Sequence, residues 1–218
     1  IGFHESAKQR YLEALELDGD TSTYYLRISY VEYCAANYET AIKLGKDAIS
    51  SGSQDPESLK IIGSSYLYLG QYEKALNYLE KFTEELESLG QANTYDLPWV
   101  AYAYKQNGYK EESEIFVNEQ IDLANEWITR EITGFEENYL RLALVYAFTG
   151  NKEKAYNNLS LYKKTEHTSV NVMKSRNDPL FEKIRDEPEF NKLMDDLEAI
   201  YQAEQERVRQ WLEENEML

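Results

Sequence analysis

Small residues recur along this chain at an interval of thirty-four residues, and this interval constrains the fold more than any other feature of the sequence. Ala75 is preceded at this spacing by Ala41 and then by Ala7, and Tyr72 is preceded in the same way by Tyr38. A fixed period of this length predicts one supersecondary unit that is repeated along the chain. Each copy then buries its apolar face against the next copy.

The clearest copy of the unit consists of a helix, a turn that contains glycine, and a second helix. In the first helix, apolar and small residues are spaced three and four apart, which is the period of one face of an α-helix. These residues are Leu59, Ile62, Gly63 and Tyr66. We predict that Gly70 ends this helix, because glycine tolerates the left-handed conformation found after helix C-termini. Ala75 then lies in the second helix, where its small side chain allows the two helices to approach closely.

This pattern resembles the tetratricopeptide repeat (TPR), whose consensus is W-x-x-L-G-x-x-Y in the first helix and A-x-x-x-F in the second. Two later units share the pattern, with small residues at Ser113 and Ala155, but their spacing is stretched and we assign the extra length to second helices. The resemblance implies an all-α, right-handed α-solenoid of helix-turn-helix hairpins. Its predicted parts are a half repeat at 3–18, repeats at about 22–53, 56–92, 94–133 and 136–165, and C-terminal capping helices in 166–218. Because the half repeat has no first helix, we expect the natural protein to continue on its N-terminal side.

The segment after Thr165 departs from the repeat pattern and contains two helix-start signals. Asp178 and Glu187 each precede a proline, which is the residue favoured at the first position of a helix. An apolar stripe then predicts a helix over about 189–214 that caps the array. The D-P-L-F-x-x-I-R-D-x-P-x-F sequence is similar to the end of TPR arrays in bacterial multidomain signalling and transcription regulators. That similarity implies a regulatory module.

The TPR resemblance also implies a concave groove, lined by the first helix of each hairpin, that binds an extended or helical peptide. The residues predicted to line it are rich in tyrosine, which offers apolar contact area together with a hydroxyl group. They are Leu26, Tyr30, Tyr33, Lys60, Ser64, Tyr68, Tyr95, Tyr102, Lys105, Leu144 and Phe148. The alternative for any one of these tyrosines is that it packs between neighbouring repeats.

Composition restricts the partners of such a groove. The formal net charge of −17 repels nucleic-acid phosphates and anionic membranes, so the expected partner is a protein or peptide, and a basic one would be attracted. No apolar run approaches the ~20 residues of a membrane-spanning helix. We predict a cytoplasmic protein, with the periplasmic side of a membrane-anchored regulator as the alternative.

The sequence offers no catalytic, cofactor or metal site, and we predict that the chain is not an enzyme. Its single cysteine, Cys34, has no cation nearby in sequence that would activate a thiolate, and His4 and His167 are far apart. Glycine-rich phosphate-binding motifs are absent. Two rival functions stay open. One is self-association into a homodimer, for instance through Trp211 in the C-terminal tail, and the other is a small-ligand sensor.

Overall fold

The computed structural model describes residues 3–90, 97–132, 134–165 and 171–215. Within these ranges the chain forms eleven α-helices and one short 3-10 helix, and no β-strand, so the all-α prediction is confirmed. The helices are α1 His4–Asp18, α2 Thr21–Cys34, α3 Tyr38–Ser50, α4 Glu57–Tyr68, α5 Tyr72–Ser88, α6 Leu97–Gln106, α7 Lys110–Thr129, α8 Glu137–Thr149, α9 Lys152–Lys164, α10 Asn171–Ser175 and α11 Pro188–Glu214, with the 3-10 helix at Pro179–Phe181.

Contacts between residues divide the chain into two units. The first contains α1 to α5 together with Gln106–Gly108, and the second contains α6 as far as Lys105 and α7 to α11. In the first unit, α2 pairs with α3 and α4 pairs with α5, and the two hairpins pack together through α3 against α4 and α2 against α4. In the second unit, α8 pairs with α9, and α7 packs on α8.

The repeated small residues lie where the helices of a hairpin cross in the first unit. Ala41 and Ala75 are completely buried. Gly63 of α4 approaches α5 so closely that a Cβ atom added to it would lie 2.8 Å from Cγ of Leu79. The turn after α4 contains Gly70 in the left-handed region, with φ of 69°. The thirty-four-residue recurrence therefore reflects close contact between helices.

The first helix is less deeply packed than the others. None of the residues of α1 is fully buried, although α1 contacts α2 and an ion pair of 2.7 Å joins Lys8 to Glu32. Asp20 begins α2 by accepting hydrogen bonds from the backbone N–H groups of Ser22 and Thr23, both at 3.1 Å. This arrangement satisfies two of the free donors at the start of the helix.

In the second unit, side chains of α6 and α7 make the equivalent crossing. The hydroxyl of Ser113 donates a hydrogen bond of 2.7 Å to the backbone carbonyl of Ala101, and the ring of Tyr104 stacks on Phe116 with centroids 5.3 Å apart. Ala155 of α9 is fully buried. The second helices differ in length, since α5 has 17 residues and α7 has 20, whereas α3 has 13.

Polar contacts hold the segment that leads to the last helix. Asp178 caps the 3-10 helix by accepting a hydrogen bond of 2.9 Å from the backbone N–H of Leu180. The sequence predicts a helix that starts after Asp178. In the structure only the three residues Pro179–Phe181 are helical there, and they form a 3-10 helix. Upstream of this turn, Arg176 forms ion pairs with Asp195 at 2.6 Å and with Glu198 at 2.8 Å. These pairs attach the segment to α11.

The long helix α11 buries only its first half. Its stripe of Phe190, Leu193, Met194, Leu197 and Tyr201 is buried, and α11 contacts α9. From Tyr201 to the end of the helix at Glu214 no further residue is fully buried, and the side chain of Trp211 is 51% exposed. None of the described helices is both long enough and apolar enough to cross a membrane.

Candidate peptide-binding face

Three of the predicted groove residues remain accessible in the first unit, on two helices that contact each other. Tyr30 lies on α2 with 41% of its surface exposed, and Lys60 and Tyr68 lie half-buried on α4. We call Tyr30, Lys60 and Tyr68 the α2–α4 face. They combine a phenol that reaches solvent, a cation and a second aromatic ring within one pair of neighbouring helices.

The hydroxyl of Tyr30 is held at the border between α2 and α4. It lies near the thiol of Cys34, one helical turn further along, and near the charges of Lys60 and Glu57 on α4. Burial raises the pKa of Tyr30, with Cys34 as a second cause, while Lys60 acts in the opposite direction. The phenol therefore keeps its proton at neutral pH and can donate a hydrogen bond.

Tyr68 is fixed by other aromatic side chains. Its ring stacks on Tyr38 with centroids 4.7 Å apart and an interplanar angle of 21°, and the edge of Tyr33 meets it at 6.0 Å and 79°. Lys60 is in turn paired with Glu57 at 2.5 Å. Because these side chains already have partners that orient them, a ligand would bind here with a smaller loss of side-chain entropy.

The structure places six other predicted groove residues in the interior, so they present little or no side-chain surface to a partner. The helical spacing that directs these side chains toward an inner face also directs them toward the helix of the next hairpin. Residues of neighbouring helices therefore cover them. The six are Leu26, Tyr33, Ser64, Tyr102, Leu144 and Phe148. Tyr95 lies outside the described residues.

In the second unit, the predicted groove positions form packing contacts. Tyr102 meets Phe148 edge to face at 5.7 Å, and both are buried. Lys105 lies over the ring of Phe148 and donates a hydrogen bond of 3.1 Å to its carbonyl, to which Lys183 also donates at 2.8 Å. Burial lowers the pKa of Lys105, and the nearby charges of Lys183 and Lys110 lower it further. Lys105 is the one predicted groove residue among the described part of this unit that stays partly accessible.

The sequence does not indicate the role of Tyr38 at the α2–α4 face. It marks Tyr38 only as a member of the thirty-four-residue repeat and does not predict its stacking on Tyr68. The available signal was the interval of thirty residues between two tyrosines at the ends of neighbouring helical segments, which alone does not specify a contact. Within the described ranges no group of acidic, histidine or cysteine side chains is arranged to hold a metal ion.

Comparison with known proteins identifies one family model that matches part of the first unit. A model of the tetratricopeptide repeat matches residues 57–85, which cover α4 and most of α5. This segment of the chain is similar to a tetratricopeptide repeat. A search of curated proteins found no match.

Two solved structures match part of the chain. The crystal structure of MamA shares 16% sequence identity, covers 76% of this chain and 90% of its own, and superimposes with a TM-score of 0.47. The crystal structure of YrrB, described as a TPR protein with an unusual peptide-binding site, shares 22% identity. It covers 74% of this chain and 77% of its own, with a TM-score of 0.43.

Proposed function

We propose that this chain binds a peptide segment of a partner protein on the α2–α4 face. The observation that carries the proposal is the exposure of Tyr30 beside Lys60 and the ordered ring of Tyr68. An aromatic surface with a hydroxyl and an ammonium group suits a segment that has apolar side chains and exposed backbone carbonyls. Tyrosine makes such contacts with little loss of rotamer freedom.

The test is selection of random peptides displayed on phage against the purified chain, followed by affinity measurements on the selected peptides by fluorescence anisotropy. We expect Tyr30→Ala to weaken binding roughly tenfold, which corresponds to the loss of one aromatic contact at a binding hot spot. Tyr109→Ala serves as the matched control, because Tyr109 is an exposed tyrosine of the second unit. Peptides that bind wild type and Tyr30→Ala equally would contradict the proposal.

We further propose that the chain is the sensing or regulatory part of a larger bacterial signalling or transcription regulator. The support is the resemblance of the Asp178–Phe190 sequence to the end of TPR arrays in such regulators, together with the capped turn and ion pairs that this segment forms. The sequence of the complete gene tests this. An encoded DNA-binding or nucleotide-cyclase domain would support the proposal, and a gene without any output domain would contradict it.

Self-association is a second candidate function, and the exposure of Trp211 on the unburied half of α11 favours it. A tryptophan with half of its surface in solvent is a common anchor of protein interfaces. Sedimentation velocity over a dilution series would show a dimer that dissociates in Trp211→Ala. If the wild-type chain stays monomeric at every concentration, the second candidate is excluded.

A further inference from the structure

One turn of α5 extends past the position at which the equivalent helix α3 ends. The thirty-four-residue interval maps Tyr38 of α3 onto Tyr72 of α5 and maps Ser50, the last residue of α3, onto Glu84. Helix α5 nevertheless continues to Ser88, and this extension adds about 6 Å to its length. It has no counterpart on α3, so the end of the first hairpin is shorter than the end of the second.

This difference in length leaves a groove in the first unit, with a volume of about 470 Å³. Its walls are the end of α3, the connection from Ser53 to Pro56, the start of α4 and the extended end of α5. Ile49, Leu59 and Leu89 provide an apolar lining. Two of these are unusually accessible, since Ile49 is 38% exposed and Leu89 is 54% exposed. A groove of this volume accommodates several side chains of a ligand.

Acidic side chains border the apolar lining. Asp55, Glu84 and Glu85 all line the groove, and all three are exposed. Throughout the described part of the chain, no cation forms an ion pair with Glu84 or Glu85. The single basic residue of the lining is Lys81, whose ammonium group lies over the ring of Tyr78 at 5.7 Å. The groove therefore presents apolar surface and an excess of negative charge at the same place.

We propose that this groove, which we call the α3–α5 groove (Ile49, Leu59 and Leu89 with Asp55, Glu84 and Glu85), binds a short peptide segment in which a leucine-like side chain is flanked by arginine or lysine. The apolar side chain removes Ile49 and Leu89 from water, and the flanking cations pair with Glu84 and Glu85. Charge complementarity of this kind selects basic over acidic segments. The inference does not depend on binding at the α2–α4 face, because it involves none of that face's residues.

Fluorescence anisotropy with a labelled short peptide, which has leucines at its centre and arginines on both sides, tests the proposal. We expect Glu84→Lys/Glu85→Lys to weaken binding roughly tenfold, since two exposed ion pairs are replaced by repulsion. Leu89→Ser should weaken binding by a similar factor through lost apolar contact. Lys81→Glu should tighten binding about threefold. This gain cannot be produced by unfolding, so it keeps the test decisive if a weakened variant is misfolded.

Matched controls separate the groove from the general attraction of an acidic protein for a basic peptide. Glu213→Lys/Glu214→Lys changes the net charge by the same amount at the exposed end of α11, and Leu17→Ser changes an exposed leucine of α1. We expect both controls and Tyr30→Ala to bind the peptide as wild type does. Equal weakening by the two charge reversals would overturn the proposal. So would stronger binding of a peptide with glutamates in place of its arginines, or a wild-type dimer that Glu84→Lys/Glu85→Lys converts to a monomer.

Discussion

Tyr30 and Tyr102 occupy the same position of the repeated unit, yet the first is 41% exposed and the second is 3% exposed. In the first unit, Tyr30 lies near Cys34 and Lys60 with its ring partly in solvent. In the second unit, Tyr102 is covered by Phe148 of α8. The comparison teaches that repeat position determines the direction of a side chain, whereas a covering neighbour determines whether that side chain is available for binding.

The largest expected effect tests this comparison directly. Tyr102→Ala should lower the free energy of unfolding by about 3 kcal/mol, because it removes a buried aromatic ring and leaves a cavity beside Phe148. Tyr30→Ala should cost less than about 1 kcal/mol, since it truncates a partly exposed side chain. Urea unfolding followed by circular dichroism measures both values. Equal losses of stability in the two variants would show that the two tyrosines have the same structural role.

An effect of intermediate size is expected at the helix crossings, where Gly63 of the first unit corresponds to Ala101 of the second. Gly63→Ala should destabilise the chain by roughly 1–2 kcal/mol, because the new methyl group would lie 2.8 Å from Cγ of the fully buried Leu79 and overpacking outweighs the gain in helix propensity.

The reverse exchange at the equivalent position sharpens the same comparison. Ala101→Gly should cost about 1 kcal/mol by loosening the helix backbone. Thermal unfolding of both variants provides the measurement, and a Gly63→Ala variant that is more stable than wild type would refute the close approach of α4 and α5.

The smallest expected effect concerns the pH dependence of the two units. Hydrogen bonds from Thr23, and then from Ser22, lower the pKa of Asp20 from its ordinary 3.8 to about 2. A lowered pKa means that the capping contribution is complete above the ordinary value and is lost as the pH falls toward 2. In the second unit, the cap of α9 is Asn151, which accepts a hydrogen bond of 3.1 Å from the backbone N–H of Lys154 and does not titrate there.

We therefore expect Asp20→Asn to flatten the decline of stability between pH 4 and pH 2, and Asn151→Asp to add a decline. The melting temperature of each variant across that range, compared with wild type, gives the contribution of each cap. The expectation fails if Asp20→Asn retains the full acid sensitivity of the wild-type chain.

The hairpins were predictable because their signals are local and repeated. Ala41, Ala75 and Ala155 are fully buried and Ser113 is nearly so, as close helix crossings require. The start of α11 was also predictable, since a proline at position 188 after Glu187 is a local signal for a helix N-terminus.

Accessibility at the predicted groove was not predictable to the same degree. Burial of Tyr102 depends on Phe148, which is forty-six positions away in sequence. The presence of a tyrosine at a groove position does not indicate whether such a distant residue covers it. The α3–α5 groove was hidden for a related reason. It arises from a difference of one turn between two helix ends, and helix ends are the least certain part of any assignment made from sequence.

Cys34, the single thiol of the chain, is buried next to Tyr30 and can serve as a chemical probe of local opening. Because of this burial, alkylating reagents modify it mainly while α2 is locally open. The labelling rate of this one atom therefore reports how often the first hairpin opens. A partner that occupies the neighbouring surface would slow the labelling. Binding could then be detected without a fluorophore or a tag, and without knowing the identity of the partner.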